Sequence, residues 1–127
     1  MNLEHGIFTV TVDTNIIIIT MKGSFNEFGA RALIDSIKAK IKSFKSAKFS
    51  IIVEDLELEG MTPEGYKEIN KYNEWLNDQN MIAKARVAKS TVTLDIDNRL
   101  IPAIKKQNIK IFEDVPTAIE WLKRQSE

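Results

Sequence analysis

Four consecutive isoleucines, Ile16-Ile17-Ile18-Ile19, constrain this chain more than any other feature. Successive side chains of a strand point to opposite faces of the sheet. A β-branched run with no polar member therefore asks for cover on both faces. The run is far too short to cross a bilayer, which takes about 20 residues. Just before it, Phe8, Val10 and Val12 alternate with Ile7, Thr9 and Thr11, the two-residue period of a strand. Asp13-Thr14-Asn15 supplies turn chemistry between the two segments. A connection this short makes the pair an antiparallel hairpin, with the second strand running from Ile16 to Lys22 and ending at Gly23-Ser24.

Beyond the hairpin the period switches back and forth. Asn26 is placed to cap a helix in which Ala30, Leu33, Ile34, Ile37, Ile41 and Phe44 recur at three- and four-residue spacing. Phe49, Ile51 and Val53 mark a third strand, Lys48 to Glu54, and an acidic loop from Asp55 to Met61 follows. Thr62-Pro63 then combines a capping residue with a proline at the first helical position. That second helix carries Ile69, Tyr72, Asn73 and Leu76 on one face and ends near Asn80. In the fourth strand, Ile82 to Ala88, Ala83, Ala85 and Val87 alternate with Lys84 and Arg86. Ser90 to Leu94 has strand character but no decided fate. Asp95 or Asp97 can cap a third helix bearing Leu100, Ile101 and Ile104, where Pro102 is awkward. Ile109 to Phe112 is a short fifth strand, and Asp114 caps a last helix with Ala118, Ile119 and Leu122 inward.

The order β-β-α-β-α-β-α-β-α predicts a single α/β domain over residues 1–127. Its sheet is mixed, mostly parallel and five-stranded, opens with a β-hairpin, and carries four helices chiefly on one face. Alternation of polar with apolar residues in three strands predicts that the other face is partly wet. The length of 127 residues and an apolar content of 43% suffice for one core. Eighteen basic residues balance eighteen acidic ones, which argues against a nucleic-acid partner. Without cysteine and with a single histidine, His5, the chain has no disulfide, no thiolate chemistry and no His-pair metal site. Met1 to Gly6 does not read as a signal peptide, so a cytoplasmic protein without a transmembrane segment is expected.

In its element order, its Thr62-Pro63-Glu64-Gly65-Tyr66 helix start and its ending Ile111-Phe112-Glu113-Asp114 … Ala118-Ile119-Glu120-Trp121-Leu122, the chain resembles the STAS superfamily. The likeness is to its small stand-alone SpoIIAA-like members, some of STAS/Sec14 type, and covers essentially the whole chain. It implies a non-enzymatic regulatory domain that needs no cofactor. Many relatives antagonise anti-sigma factors, docking through the loop after the third strand and the next helix. Their switch is a phosphorylated serine in an Asp-Ser-Ser-Gly-like stretch, where phosphate adds about two negative charges. Matching that glycine to Gly65 puts Glu64 at the serine and Thr62 at the aspartate. A carboxylate cannot be phosphorylated, and making Thr62 the acceptor leaves Pro63 without a counterpart.

The residues expected to meet a protein partner are accordingly Asp55, Glu57, Glu59, Met61, Thr62, Glu64, Tyr66 and Ile69, with Tyr72 and Trp75 as a ligand groove beside them. The acidic stretch, which also includes Glu54, matches no calcium loop and reads as solvated or partner-facing rather than metal-binding. Lys38, Lys40, Lys42, Lys45 and Lys48 complement the end of the first helix. Ser90-Thr91 has no histidine to activate it. Three occupants of the surface follow: a protein partner, a small apolar ligand of the Sec14-like kind, or a second copy of the chain.

Overall fold

The structure is a computed structural model that describes residues 3–90 and 92–127. Strands β1 (Ile7–Asp13) and β2 (Ile16–Phe25) form the opening hairpin, antiparallel and in register from Ile7 opposite Lys22 to Asp13 opposite Ile16. Helix α1 (Glu27–Ser43), β3 (Phe49–Met61), α2 (Pro63–Leu76) and β4 (Met81–Val87) follow. Helix α3 (Val92–Leu100), a 3₁₀ helix (Pro102–Lys106), β5 (Ile109–Phe112) and α4 (Val115–Gln125) complete the chain. The strands lie side by side in chain order, and every pair after the hairpin is parallel.

That order dictates where the helices go. Right-handed crossovers that always advance in the same direction across the sheet must all pass over the same face. Helices α1, α2 and α3 are the three crossovers. Leu33 and Ile37 of α1 and Tyr72 and Leu76 of α2 pack on Ile17, Ile19 and Ile51. The 3₁₀ helix is tied to α2 on the same side, through Asn77 donating to the Ala103 carbonyl and Ala103 N–H donating to Asn70. Helix α4 leads to no further strand and covers the opposite face, where Ala118, Trp121 and Leu122 meet Ile16, Ile52, Ala83, Ala85 and Val87. The isoleucine run thus has cover above and below, as its composition demanded. On the α4 side the sheet is wet toward β1, where Thr9 and Thr11 are exposed, and at Lys110 of β5.

Three of the four predicted caps form. Asn26 accepts from Gly29 N–H at 2.9 Å, Thr62 from Gly65 N–H at 3.1 Å, and Asp114 from Thr117 N–H at 2.8 Å. Four boundaries differ from expectation. Residues 55–61 are not a loop: β3 continues through them because β2 continues beside it, pairing Lys22 with Glu57 and Phe25 with Met61. Gly23, read as a terminator, instead takes a φ of 75° within a pair of register shifts, a conformation glycine accepts freely. Helix α2 stops at Leu76, and Asn77 to Gln79 close it as a turn. Helix α3 begins at Val92, so neither Asp95 nor Asp97 caps it; Thr91, within the undecided stretch, lies outside the described residues, as do Met1 and Asn2. Pro102 is accommodated by a break after Leu100, standing first in the 3₁₀ helix where its missing N–H costs nothing.

Candidate functional site

The alternation of β4 decides what the molecule encloses. With Ala83, Ala85 and Val87 turned to α4, Lys84 and Arg86 must point to the other face, beneath α2 and α3. An interior parallel strand has no solvent side, so both bases are drawn out of water. Arg86 answers this with two carboxylates, donating to Asp55 of β3 and Asp97 of α3. Lys84, only 4% exposed, donates to Asn73 of α2 at 2.7 Å. Asn73 donates onward to the Ile69 carbonyl at 2.9 Å, and its oxygen also accepts from Gln107 at 3.0 Å.

These groups border a cavity of about 70 Å³ between the sheet and α2, α3 and the 3₁₀ helix. Its walls are otherwise apolar, with Ile19, Met21, Leu33, Ile37, Ile101 and Ile104 among them. Burial pushes the Asp55 and Asp97 carboxyls up from their ordinary range, against the pull of Arg86. Lys84 is pushed down to about 7, chiefly by burial and then by the neighbouring guanidinium. The Tyr72 hydroxyl, buried without a hydrogen-bond partner among the described residues, is pushed up by burial alone. Tyr66 is raised by burial and by Asp97. Leu58, Tyr66 and the Arg86–Asp55–Asp97 triad also floor a surface groove bordered by Glu59, Lys89 and Ile96. The triad therefore lies between the inner cavity and this groove.

The residues expected to face a partner divide between surface and interior. Glu57, Glu59, Thr62 and Glu64 are exposed, and Glu57 pairs with Lys22 at 3.1 Å. Asp55 does not join them: 8% exposed and held by Arg86, it faces the cavity because the supposed loop is strand and its parity turns inward. Met61, Tyr66 and Ile69 are half-buried cavity walls. Tyr72 lines the same cavity, but Trp75 does not; it stacks on Tyr72 with ring centres 6.3 Å apart, and the Lys38 ammonium lies 4.8 Å from its ring. Among the described residues no group of three or more His, Cys, Asp or Glu side chains is placed to hold a metal ion. No described helix is long and apolar enough to cross a membrane.

No protein-family model and no curated protein matches the sequence. Solved structures do. An uncharacterised protein of the DUF3478 family from Shewanella loihica PV-4, described as having a SpoIIAA-like fold, superposes with a TM-score of 0.70 over 96% of this chain and 97% of that one, at 14% identity. The fold is SpoIIAA-like. An anti-sigma factor antagonist from Mycobacterium paratuberculosis matches with a TM-score of 0.65 at 15% identity, over 96% of this chain and 97% of its own. SpoIIAA in its unphosphorylated form matches with 0.63 at 14% identity, over 92% and 98% respectively. In this SpoIIAA-like domain the stretch 62–66 starts a helix directly off β3, as the resemblance required. What sequence reasoning missed was Lys84, Arg86, Asn73 and Asp97. The signal was present: two bases two residues apart in a strand that others must flank on both sides.

Proposed function

We propose that this SpoIIAA-like domain is a non-enzymatic regulatory module, cytoplasmic, that docks a protein partner with a basic surface. The observation that carries the reading is the exposed acidic ridge of Glu57, Glu59 and Glu64, which follows the end of β3 into the first turn of α2. Thr62 lies in the same ridge, whereas Asp55, Met61, Tyr66 and Ile69 support it from within. Support also comes from the fold, shared over 96% of the chain with an anti-sigma factor antagonist. With Glu64 in the first turn, this ridge is permanently charged and not switched by a phosphate. The doubly reversed variant Glu57→Lys, Glu59→Lys tests the ridge by affinity capture from the source cell beside the unaltered chain. Proteins retained by the unaltered chain should be lost, while unfolding free energy changes by less than about 0.5 kcal/mol, as befits exposed positions. Undiminished capture of the same proteins refutes the surface.

The cavity favours a second reading, in which the domain carries a small ligand with an apolar body. Its walls are mostly aliphatic, and it lies between the sheet and the second and third helices. Native mass spectrometry of the protein isolated from its source tests this: a co-purifying small molecule supports the carrier, and a bare chain counts against it.

A further inference from the structure

We propose that the cavity receives a monocarboxylate of one or two carbons, its carboxylate held by the Lys84 ammonium and the Tyr72 hydroxyl and its carbon end among the surrounding aliphatic side chains. The inference rests on the carrier reading and names its ligand.

Three observations converge on it. The first is an unanswered cation: Lys84 is 4% exposed, yet among the described residues its ammonium donates only to the neutral Asn73 amide, and no carboxylate lies within ion-pair distance of it. The nearby acids, Asp55 and Asp97, each give one oxygen to Arg86, and Asp55 Oδ1 has no partner among the described residues. The second is the Tyr72 hydroxyl, a buried donor on the wall of the same cavity with no partner among the described residues. Buried polar groups without partners are rare in folded proteins and ask for an explanation. The third is size. A cavity of about 150 Å³ takes benzene, so one of about 70 Å³ has room for roughly three or four heavy atoms. Formate and acetate fall in that range, whereas a long-chain lipid does not.

Charge balance gives the binding a proton signature. Among the described residues, the polar groups that line the cavity with Lys84 are Arg86 on its own strand, Asp97 of α3, Asp55 of β3, and Tyr66, Tyr72 and Asn73 of α2, with Gln107 after the 3₁₀ helix bonded to Asn73. Arg86 with its two carboxylates carries one net negative charge, and a protonated Lys84 brings the site to neutrality. Burial and the guanidinium nevertheless hold the amine near pH 7, so above neutrality it stands mostly uncharged. An incoming carboxylate restores the reason to be charged, and Lys84 takes a proton from solvent as the ligand binds.

Titration calorimetry of the full chain at pH 8 with straight-chain carboxylates from formate to octanoate tests the proposal. Acetate measured in phosphate and in Tris, whose ionisation heats differ, should show uptake of close to one proton per ligand. Affinity should peak at formate or acetate, with octanoate at least tenfold weaker. Lys84→Met should weaken acetate at least thirtyfold and leave ethanol unchanged; Tyr72→Phe should weaken acetate severalfold. The proton count is read on the unaltered chain and does not depend on any variant folding. Acetate binding without proton uptake, tighter binding of octanoate or of ethylamine, or full acetate affinity in Lys84→Met overturns the proposal. If ethanol binds as well as acetate, the carboxylate site falls and the carrier stands; if neither binds, both fall.

Discussion

Replacing Lys84 by methionine should make the folded domain more stable at neutral pH, the opposite of what most core substitutions do. The lysine amine is pushed from 10.5 in the unfolded chain to about 7 in the fold. Between those values the unfolded state binds the extra proton, so stability rises with pH across the interval. At pH 7 folding must either shed that proton or bury the charge. With each tenfold change in proton affinity worth roughly 1.4 kcal/mol, the cost is about 4 kcal/mol. At pH 9.5 the same reckoning leaves about 1 kcal/mol, so the unaltered chain should gain about 3 kcal/mol between the two. Methionine fills a similar volume and has nothing to discharge. Its arrival does not strand Asn73, whose oxygen keeps the Gln107 amide at 3.0 Å. Urea unfolding of both proteins at pH 7 and 9.5 reads the difference, which also cancels the titration of tyrosines and other lysines. The variant should be the more stable at pH 7, and the gap should narrow to about 1 kcal/mol at pH 9.5. Parallel pH profiles, or a less stable variant at pH 7, would show that Lys84 is not paying for its burial.

Removing Arg86 should act in the opposite direction. Arg86→Met leaves Asp55 and Asp97 buried and facing each other, a loss of about 3–5 kcal/mol at pH 7. Both carboxyls would then titrate still further above their unfolded range, so the folded state binds more protons; urea midpoints should show the deficit shrinking as pH falls toward 5. Thr62→Ala removes the oxygen that accepts from Gly65 N–H and should cost about 1 kcal/mol in the same assay. Gly29→Ala would set a methyl 1.9 Å from the His5 carbonyl oxygen. The segment before β1, held by Asn26 to Leu3 and His5, must then move away, and limited proteolysis near His5 should quicken severalfold.

The elements most legible in the sequence were those whose local chemistry agrees with their tertiary setting. Asn26, Thr62 and Asp114 each precede a periodic apolar stripe, and each caps the helix it announces. The ends of β2 and β3 were illegible for a physical reason: neither Lys22–Phe25 nor Asp55–Met61 is strand-like by itself, and each is extended only because the other pairs with it. The site suffered from the same limit. Polar residues alternating with alanines look like a wet face, and only the position of β4 between β3 and β5 shows that no such face exists there. Asp55 looked like one carboxylate of an acidic surface, but its parity in an elongated β3 sends it inward to Arg86. The long-range partners of a side chain, here Arg86 with residues 31 and 11 positions away, have no local signature.

The uninterrupted neighbour order of the sheet bears on how the protein is made. As the chain leaves a ribosome, every new strand after the first finds the edge it must join already in place, and no strand has to be wedged between two others. Contacts at modest sequence separation favour rapid folding, and growth from one border suits synthesis from the amino end. The Arg86 cluster is assembled late in that schedule: Asp55 emerges first, Arg86 after it, and Asp97 completes the trio only when α3 has cleared the exit tunnel. Until then a nascent domain would hold its arginine with one carboxylate instead of two.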